Sequence, residues 1–397
     1  MYVTRPLSHY YNNPNAVFDH PPEGPSSGIL VIKDEEAESE QVCCWGLCKD
    51  SRIYSLPFPQ NTKIKVRYTT TQHHAGGGQS HSTTHTSRDD VFFIPVTGQP
   101  LSSNRYYVIR EDGRNKGKAA TCSREEDMTT CCFCSFANDV ASSPLDHRNI
   151  HQQVEIICQR NKFHAKAVAS DGIPPQYLRR KGWQAYTSES TNYHLPEARG
   201  LDVSLRNKLP DLDFQISTQR SPAIVVGKWY CPFMFIKEGD RLKDQMKRSM
   251  FYNMTLQRFW EEIYSCENNG KEGNAVELSV GVRRHTALLN GSEIIQDRRE
   301  VVDGIMWLKP VNSGDQGLGL SLAIWERMRW EEERGGWIGG EENVERVERS
   351  EVCEGENGWK KFGCYVLVER FVLKRMDGTV ALAYDFKHTN KIRTKWE

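Results

Sequence analysis

Residues 365–386 read YVLVERFVLKRMDGTVALAYDF, in which two β-rich runs flank Met376-Asp377-Gly378. Asp-Gly accepts the positive φ angles of a tight reversal, so the stretch predicts an antiparallel hairpin. The same grammar recurs upstream. Val276, Leu278, Val280 and Val282 alternate with Glu277, Ser279, Gly281 and Arg283, as a strand with one wet face requires. Asn290-Gly291 marks a second reversal, and Leu318, Leu320, Leu322 and Ile324 alternate once more. The C-terminal third is therefore expected to be an antiparallel sheet.

Moving toward the N-terminus, short β-rich runs continue at 28–33 (GILVIK), 63–70 (KIKVRYTT), 91–96 (VFFIPV), 106–110 (YYVIR) and 153–158. Ala223 to Val226 and Trp229 to Ile236 read as buried strand or extended core. Between Gly239 and Cys266 the period changes. Leu242, Met246 and Met250 form one apolar stripe at helical spacing, and Leu256, Phe259, Trp260 and Ile263 form another, with Asn253 or Thr255 as an N-cap. These predict two consecutive helices. The fold class expected is α+β: strand-rich, mostly antiparallel sheets with a central helical pair.

The domain expectation is a strand-rich region with short helices over 1–220, then the helical pair and C-terminal sheet over 221–397. Two stretches lack a packing period: 72–90, rich in His, Gly, Ser and Thr, and 331–358, rich in Glu and Gly. Both are expected to be flexible insertions.

Composition narrows the function classes. The chain has 397 residues, with 52 basic and 52 acidic side chains. A formal net charge of zero removes the global field that nonspecific nucleic-acid or anionic-membrane binding would need. Ten Trp, fifteen Tyr and fifteen Phe supply a core even at a mean hydropathy of -0.64. The opening MYVTRPLSHYYNNPNAVFDHPPEGP has no apolar h-region, and no run approaches a membrane span. The sequons at Asn253 and Asn290 carry no weight without a secretory signal. A cytoplasmic, or nuclear, protein with reduced thiols is expected, without nucleic-acid or stable membrane association.

Cysteine clustering is the strongest chemical signal. Cys131-Cys132-Phe133-Cys134 contains a Cys-x-x-Cys, and Cys44 with Cys48 offers a second pair of soft ligands for tetrahedral zinc. Core cysteines are the simpler reading, because neither pair sits in a glycine-rich knuckle and free Cys is often buried. His73, His74, His81 and His85 lie in a segment too rich in Gly, Ser and Thr to build the helix that their spacing would need. Gly113 to Lys118 has three residues between its glycines and Ala119 where a phosphate loop needs a hydroxyl. Gly314, Gly317 and Gly319 miss the dinucleotide spacing. Arg179-Arg180-Lys181 before Gly182-Trp183 is the best local cationic patch for a phosphate or carboxylate, weighed against an ordinary solvated charge run.

Several long strings, MYVTRPLS, PPEGPSSGILVIKDEEAE, QPLSSNRYYVI, SREEDMTTCCFC, GIPPQYLRRKGW, VVGKWYCPFMFIKEG and QMKRSMFYNMTLQRFWEEIY, resemble a land-plant family known as a domain of unknown function, number twelve-sixty-two. The resemblance runs over nearly the whole chain and implies a plant origin and a shared full-length fold. It implies no catalytic residue.

With no hydrolase elbow and no zinc-protease motif, the leading expectation is a non-enzymatic binding or interaction protein whose partner is a protein or small molecule. The alternatives are an enzyme with a fold-assembled Cys or His site, using for example Cys131 or Cys231, and a zinc-stabilised structural protein.

Overall fold

The computed structural model describes all residues except 40–41, 44–47, 50, 77–78, 132–133, 189–192, 271–272, 295–299, 310–316 and 355–357. For 39, 42–43, 48–49, 72–76, 79–82, 130–131, 134–135 and 300 it describes the backbone alone. The chain forms two compact units: Met1–Ala198 with Pro232–Phe235 and Arg241–Met250, and Arg199–Cys231 with Ile236–Asp240 and Phe251–Glu397.

The first unit holds a seven-stranded sheet in the order Lys162–Ala167, Gln153–Gln159, Arg105–Arg110, Gln79–Pro95, Ile64–Gly76, Gln184–Thr187 and Arg52–Ile53. Alternate residues of these strands bury Phe93, Tyr106, Phe163 and Trp183 around Phe58. The rings stand 4.7 to 6.3 Å from Phe58, in the tilted and edge-on geometries that aromatic quadrupoles favour. The sheet carries an outcome that differs from the sequence expectation. Much of 72–90 lies in two paired strands, with His74 opposite His81 and Thr69 bonded to Thr86 at 3.2 Å. Cross-strand Thr and Ser pairs favour a ribbon without needing an apolar period.

The second unit contains strands in the order Gly200–Leu201, Ile224–Pro232, Phe251–Glu267, Lys361–Lys374, Val380–Trp396, His285–Leu289 and Ser292–Ile294. The hairpin expected at Asp377-Gly378 is present, with Gly378 at φ 86°. Asn290 and Gly291 have φ 48° and 85°, as a type I′ turn requires.

The central helical pair is not formed. Leu242–Arg248 is a two-turn helix, and the second expected helix is instead the strand Phe251–Glu267, paired antiparallel with Lys361–Lys374. The reason is that the strand is covered on both faces. Phe259 packs with Val366 and Val368, while its neighbour Trp260 packs with Tyr365 and Leu367. Adjacent inward residues mimic helical spacing, and the true period of two, through Met254, Leu256, Arg258 and Trp260, is disguised by a buried arginine.

A helix appears elsewhere. Leu318–Ser321 is a four-residue strand, and Leu322–Arg334 is helical, started by Ser321 accepting from the Ala323 amide at 3.3 Å. Leu322 and Ile324 thus belong to a helix, not to the alternating strand expected. Within 331–358, residues 331–334 complete that helix and Val344–Val352 pairs with Ala275–Arg283.

Candidate functional site

The site begins with two charged residues at inward positions of neighbouring strands. Arg258 and Glu369 face each other directly across the ladder, and Arg258 Nε lies 2.8 Å from Glu369 Oε1. On the next strand Val366 pairs with Ile392 but Leu367 pairs with His388. Residues 389–391 therefore fall outside the regular register. Such a bulge re-aims side chains: it leaves His388 beside Glu369 and turns Lys391 toward a cavity.

The helix Leu322–Arg334 covers this part of the sheet. Trp325 packs on Tyr384 and Phe386, at 5.0 and 6.0 Å between ring centroids, and Met328 is fully buried. Continuing along the same face, Arg327 and Glu331 pair at 2.6 Å, each 3% exposed, and Glu332 reaches His388 Nε2 at 3.1 Å. The four-residue helix Val203–Arg206 brings the last member, with Asp202 Oδ1 accepting from the amides of Ser204 and Leu205. Arg206 donates to Glu369 Oε2 and to the Glu331 carbonyl, the latter at 3.0 Å, and stands 3.7 Å from Glu332 Oε1.

Glu332, Glu369 and His388 have no solvent exposure. Two carboxylates so close cannot both ionise cheaply, and their surroundings separate them. Burial pushes Glu332 well above the usual carboxylate range, and the charge of Glu369 adds to this. Burial alone would raise Glu369 as well, but hydrogen bonds from His388 and Glu332 and the charge of Arg206 outweigh it and hold that group low. Burial lowers His388 below 6.5, against the opposing contact with Glu369. These surroundings favour the proton on Glu332 and the charge on Glu369, and burial favours the uncharged form of His388, which keeps one ring N–H. His388 Nε2 faces both carboxylates, at 3.1 and 3.4 Å, whereas its Nδ1 has no hydrogen-bond partner among the described residues.

These three side chains offer ligand atoms within 4.8 Å of one another. Separations of 3.1 and 3.4 Å match the edge of a tetrahedron, about 3.3 Å for zinc bonds of about 2.0 Å. The charge balance does not match. Both Glu369 oxygens are already held by guanidinium groups, and Lys391 adds a further cation that feels the fields of Arg206 and Arg258. A divalent ion would enter a neighbourhood already in positive excess, so the donor set fits a buried ion network better than a metal centre.

Beside the network opens a cavity of about 670 Å³. Arg206, Arg258, Arg334, Lys391 and Arg393 supply its cationic lining, and Leu201, Leu209, Trp260 and Ile392 supply apolar wall. Trp260 is fixed by its indole N–H donating to the Pro210 carbonyl at 2.8 Å, and Arg393 lies 5.8 Å from its ring centroid. The one carboxylate in the lining, Glu331, is neutralised by Arg327.

The residues singled out by sequence fall elsewhere. Arg179 bonds Asp139 at 3.3 Å and two carbonyls, Arg180 stacks over Tyr68 at 5.2 Å, and Lys181 is exposed, so the patch does not converge. Cys44 lies outside the described residues. The backbone pairs Cys48 with Cys43 and Cys134 with Cys131. Cys231 is completely buried and its thiol is pushed up to about 11 by burial. Gly113 and Gly117, at φ 69° and 79°, belong to a charged turn. Among the described residues, six cysteines carry free thiols.

Residues 23–133 match the family model described as protein of unknown function (DUF1262). The match lies within the first unit and does not reach the cavity. No curated protein matches the chain. Among solved structures, the crystal structure of Cry35Ab1 superposes with a TM-score of 0.48 at 10% identity, covering 85% of this chain and 90% of that one. Among the described residues, no helix is long and apolar enough to cross a membrane.

Proposed function

We propose that the chain is a non-enzymatic binding protein whose second unit holds a small molecule with an anionic head and an apolar body. The observation that carries this reading is the cavity lining: five cationic side chains, an apolar wall built around Trp260, and one carboxylate already paired. Arginine held in place by neighbouring groups presents hydrogen-bond donors to carboxylate or phosphate oxygens with little left to order on binding. The volume suits a drug-sized ligand. Burial of Cys231 and its raised thiol speak against an activated nucleophile there. The plant origin and family likeness beyond residues 23–133 belong to the same proposal.

The test is titration calorimetry with aryl carboxylates and aryl phosphates against neutral aryl amides of the same size. The anions should saturate at one site per chain, more weakly at high salt, while the amides stay silent. Equal binding of anions and amides, or no binding of any, ends this reading.

A further inference from the structure

We infer that this cavity is built for a doubly charged head group, of the phosphomonoester kind, seated on Arg206, Arg258 and Lys391. The inference rests on the binding reading above and specifies its ligand. Three of the five lining cations share the field of Glu369, namely Arg206 from the short helix, Arg258 from the strand Phe251–Glu267 and Lys391 from the bulge, whereas Arg334 and Arg393 are exposed and screened by solvent. Against them stands Glu369, touched by both guanidinium groups. The covering helix contributes Arg327 and Glu331, which cancel each other at 2.6 Å, and Glu332. Glu332 and Glu369 offer oxygens within 4.8 Å of each other and both are fully buried, so the charge on one keeps the other neutral. His388 completes the set from the strand Val380–Trp396. Three cations and one anion leave two positive charges uncompensated.

The geometry also says where those charges point. Arg258 Nη1 donates to the carbonyls of Arg206 and Lys208 and its Nε stands in an ion pair with Glu369 Oε1, so its position is fixed. Lys391 is held by a 2.7 Å bond to the Gly335 carbonyl, which uses one of its three donors. Both residues line the cavity. A monoanion would leave one positive charge uncompensated, whereas a phosphate dianion balances the site and can accept from the donors that Arg258 Nη2 and Lys391 have left. Arg334 and Arg393, both exposed, complete the cationic lining.

Phenyl phosphate and phenyl sulfate differ by one charge at pH 7.5 and little in shape, so they separate this inference from the broader reading. Phenyl phosphate is expected to bind at least about tenfold more tightly, a difference of about 1.4 kcal/mol. The advantage should shrink below pH of about 6, where the phosphate takes up its second proton. Lys391→Met, checked for an unchanged melting temperature, should cut the phosphate preference severalfold and affect phenyl sulfate less. Vesicles of phosphatidylcholine doped with phosphatidic acid supply the same head group on a lipid, and co-sedimentation tells a lipid source from a soluble one. Either source supports the inference. Equal affinity for phosphate and sulfate, or a preference that survives Lys391→Met, overturns it while leaving an anion site. Failure of both probes to bind removes the anion reading itself.

Discussion

Arg258 Nε lies 2.8 Å from Glu369 Oε1, and the two residues are direct partners across two central strands of their sheet. Neither is more than slightly exposed. Removing one member of a buried pair leaves the other desolvated and unpaired, which costs about 3–5 kcal/mol. Glu369→Leu is the more damaging, since it strands both Arg206 and Arg258. Arg258→Met still leaves Glu369 with Arg206. The double variant Arg258→Met/Glu369→Leu should be more stable than the sum of the singles predicts, by about 1–3 kcal/mol. Urea denaturation of the four proteins measures this, and strict additivity would show that the contact contributes no coupling.

Glu332 gives a pH dependence whose sign follows from its environment. Burial raises this carboxyl above its ordinary value of 4.5 in the folded state. Its contribution to stability is then fully present below about 4.5 and is lost as pH rises toward its folded pKa. Glu332→Gln keeps the shape of the protonated acid and cannot ionise. The variant should match the wild type near pH 4.5 and gain on it steadily as pH rises, until the wild-type group has titrated. His388 and Glu369, both depressed in the folded state, act oppositely and destabilise the fold as pH falls below about 6.5 and then below about 4.5. They are present in both proteins, so the difference isolates Glu332. Denaturation curves from pH 4.5 to 9 supply it, and a difference independent of pH would mean that Glu332 is already ionised.

How much of this was legible in the sequence depends on whether a residue type agreed with its position. Val276 to Val282 alternate cleanly because one face is wet, and Asp377-Gly378 and Asn290-Gly291 have the backbone freedom their turns demand. The helical pair was misread where Arg258 occupies a core position and where Phe259 and Trp260 are both buried. The site was invisible for the same reason. Arg258 sits inside LQRFW and Glu369 inside VLVERFVL, each a charge in the middle of an apolar run. That mismatch was the available signal, since a charge amid strand residues calls for a buried partner. Glu331 and Glu332 were hidden differently. They stand in a Glu-rich stretch that composition assigns to solvent, and helix packing alone brings them inside.

Thiol chemistry tests the enzyme alternative. Burial pushes Cys122 up to about 12 and Cys231 and Cys364 up to about 11. A thiolate is the reactive species, so at pH 7.5 these three should resist iodoacetamide in the native protein and react on unfolding. Peptide mapping after brief labelling reads each site separately. Rapid native labelling of Cys231 would restore the case for a cysteine nucleophile.

Asp202 connects local helix chemistry to the cavity. Its Oδ1 accepts from the amides of Ser204 at 3.0 Å and Leu205 at 3.1 Å and from the Ser204 hydroxyl at 2.7 Å, and these bonds lower its pKa. The helix it starts is four residues long and ends on Arg206, the side chain that reaches Glu369 and lines the cavity. So short a helix has little propagation to offset nucleation and depends on its cap. Asp202→Ala should therefore act locally. Hydrogen exchange across 203–207 should speed up, while exchange in the strands Phe251–Glu267 and Lys361–Lys374 stays as it was, because their ladder does not involve the cap. Loss of Arg206 order should weaken phenyl phosphate binding severalfold with the melting temperature little changed. Phosphate at a pH below that of Asp202 ionisation would not distinguish the proteins, so the comparison belongs near neutrality. Unchanged exchange over 203–207 would mean that Arg206 is positioned by its contacts with Glu369 and Glu331, and the cap would then have no part in shaping the site.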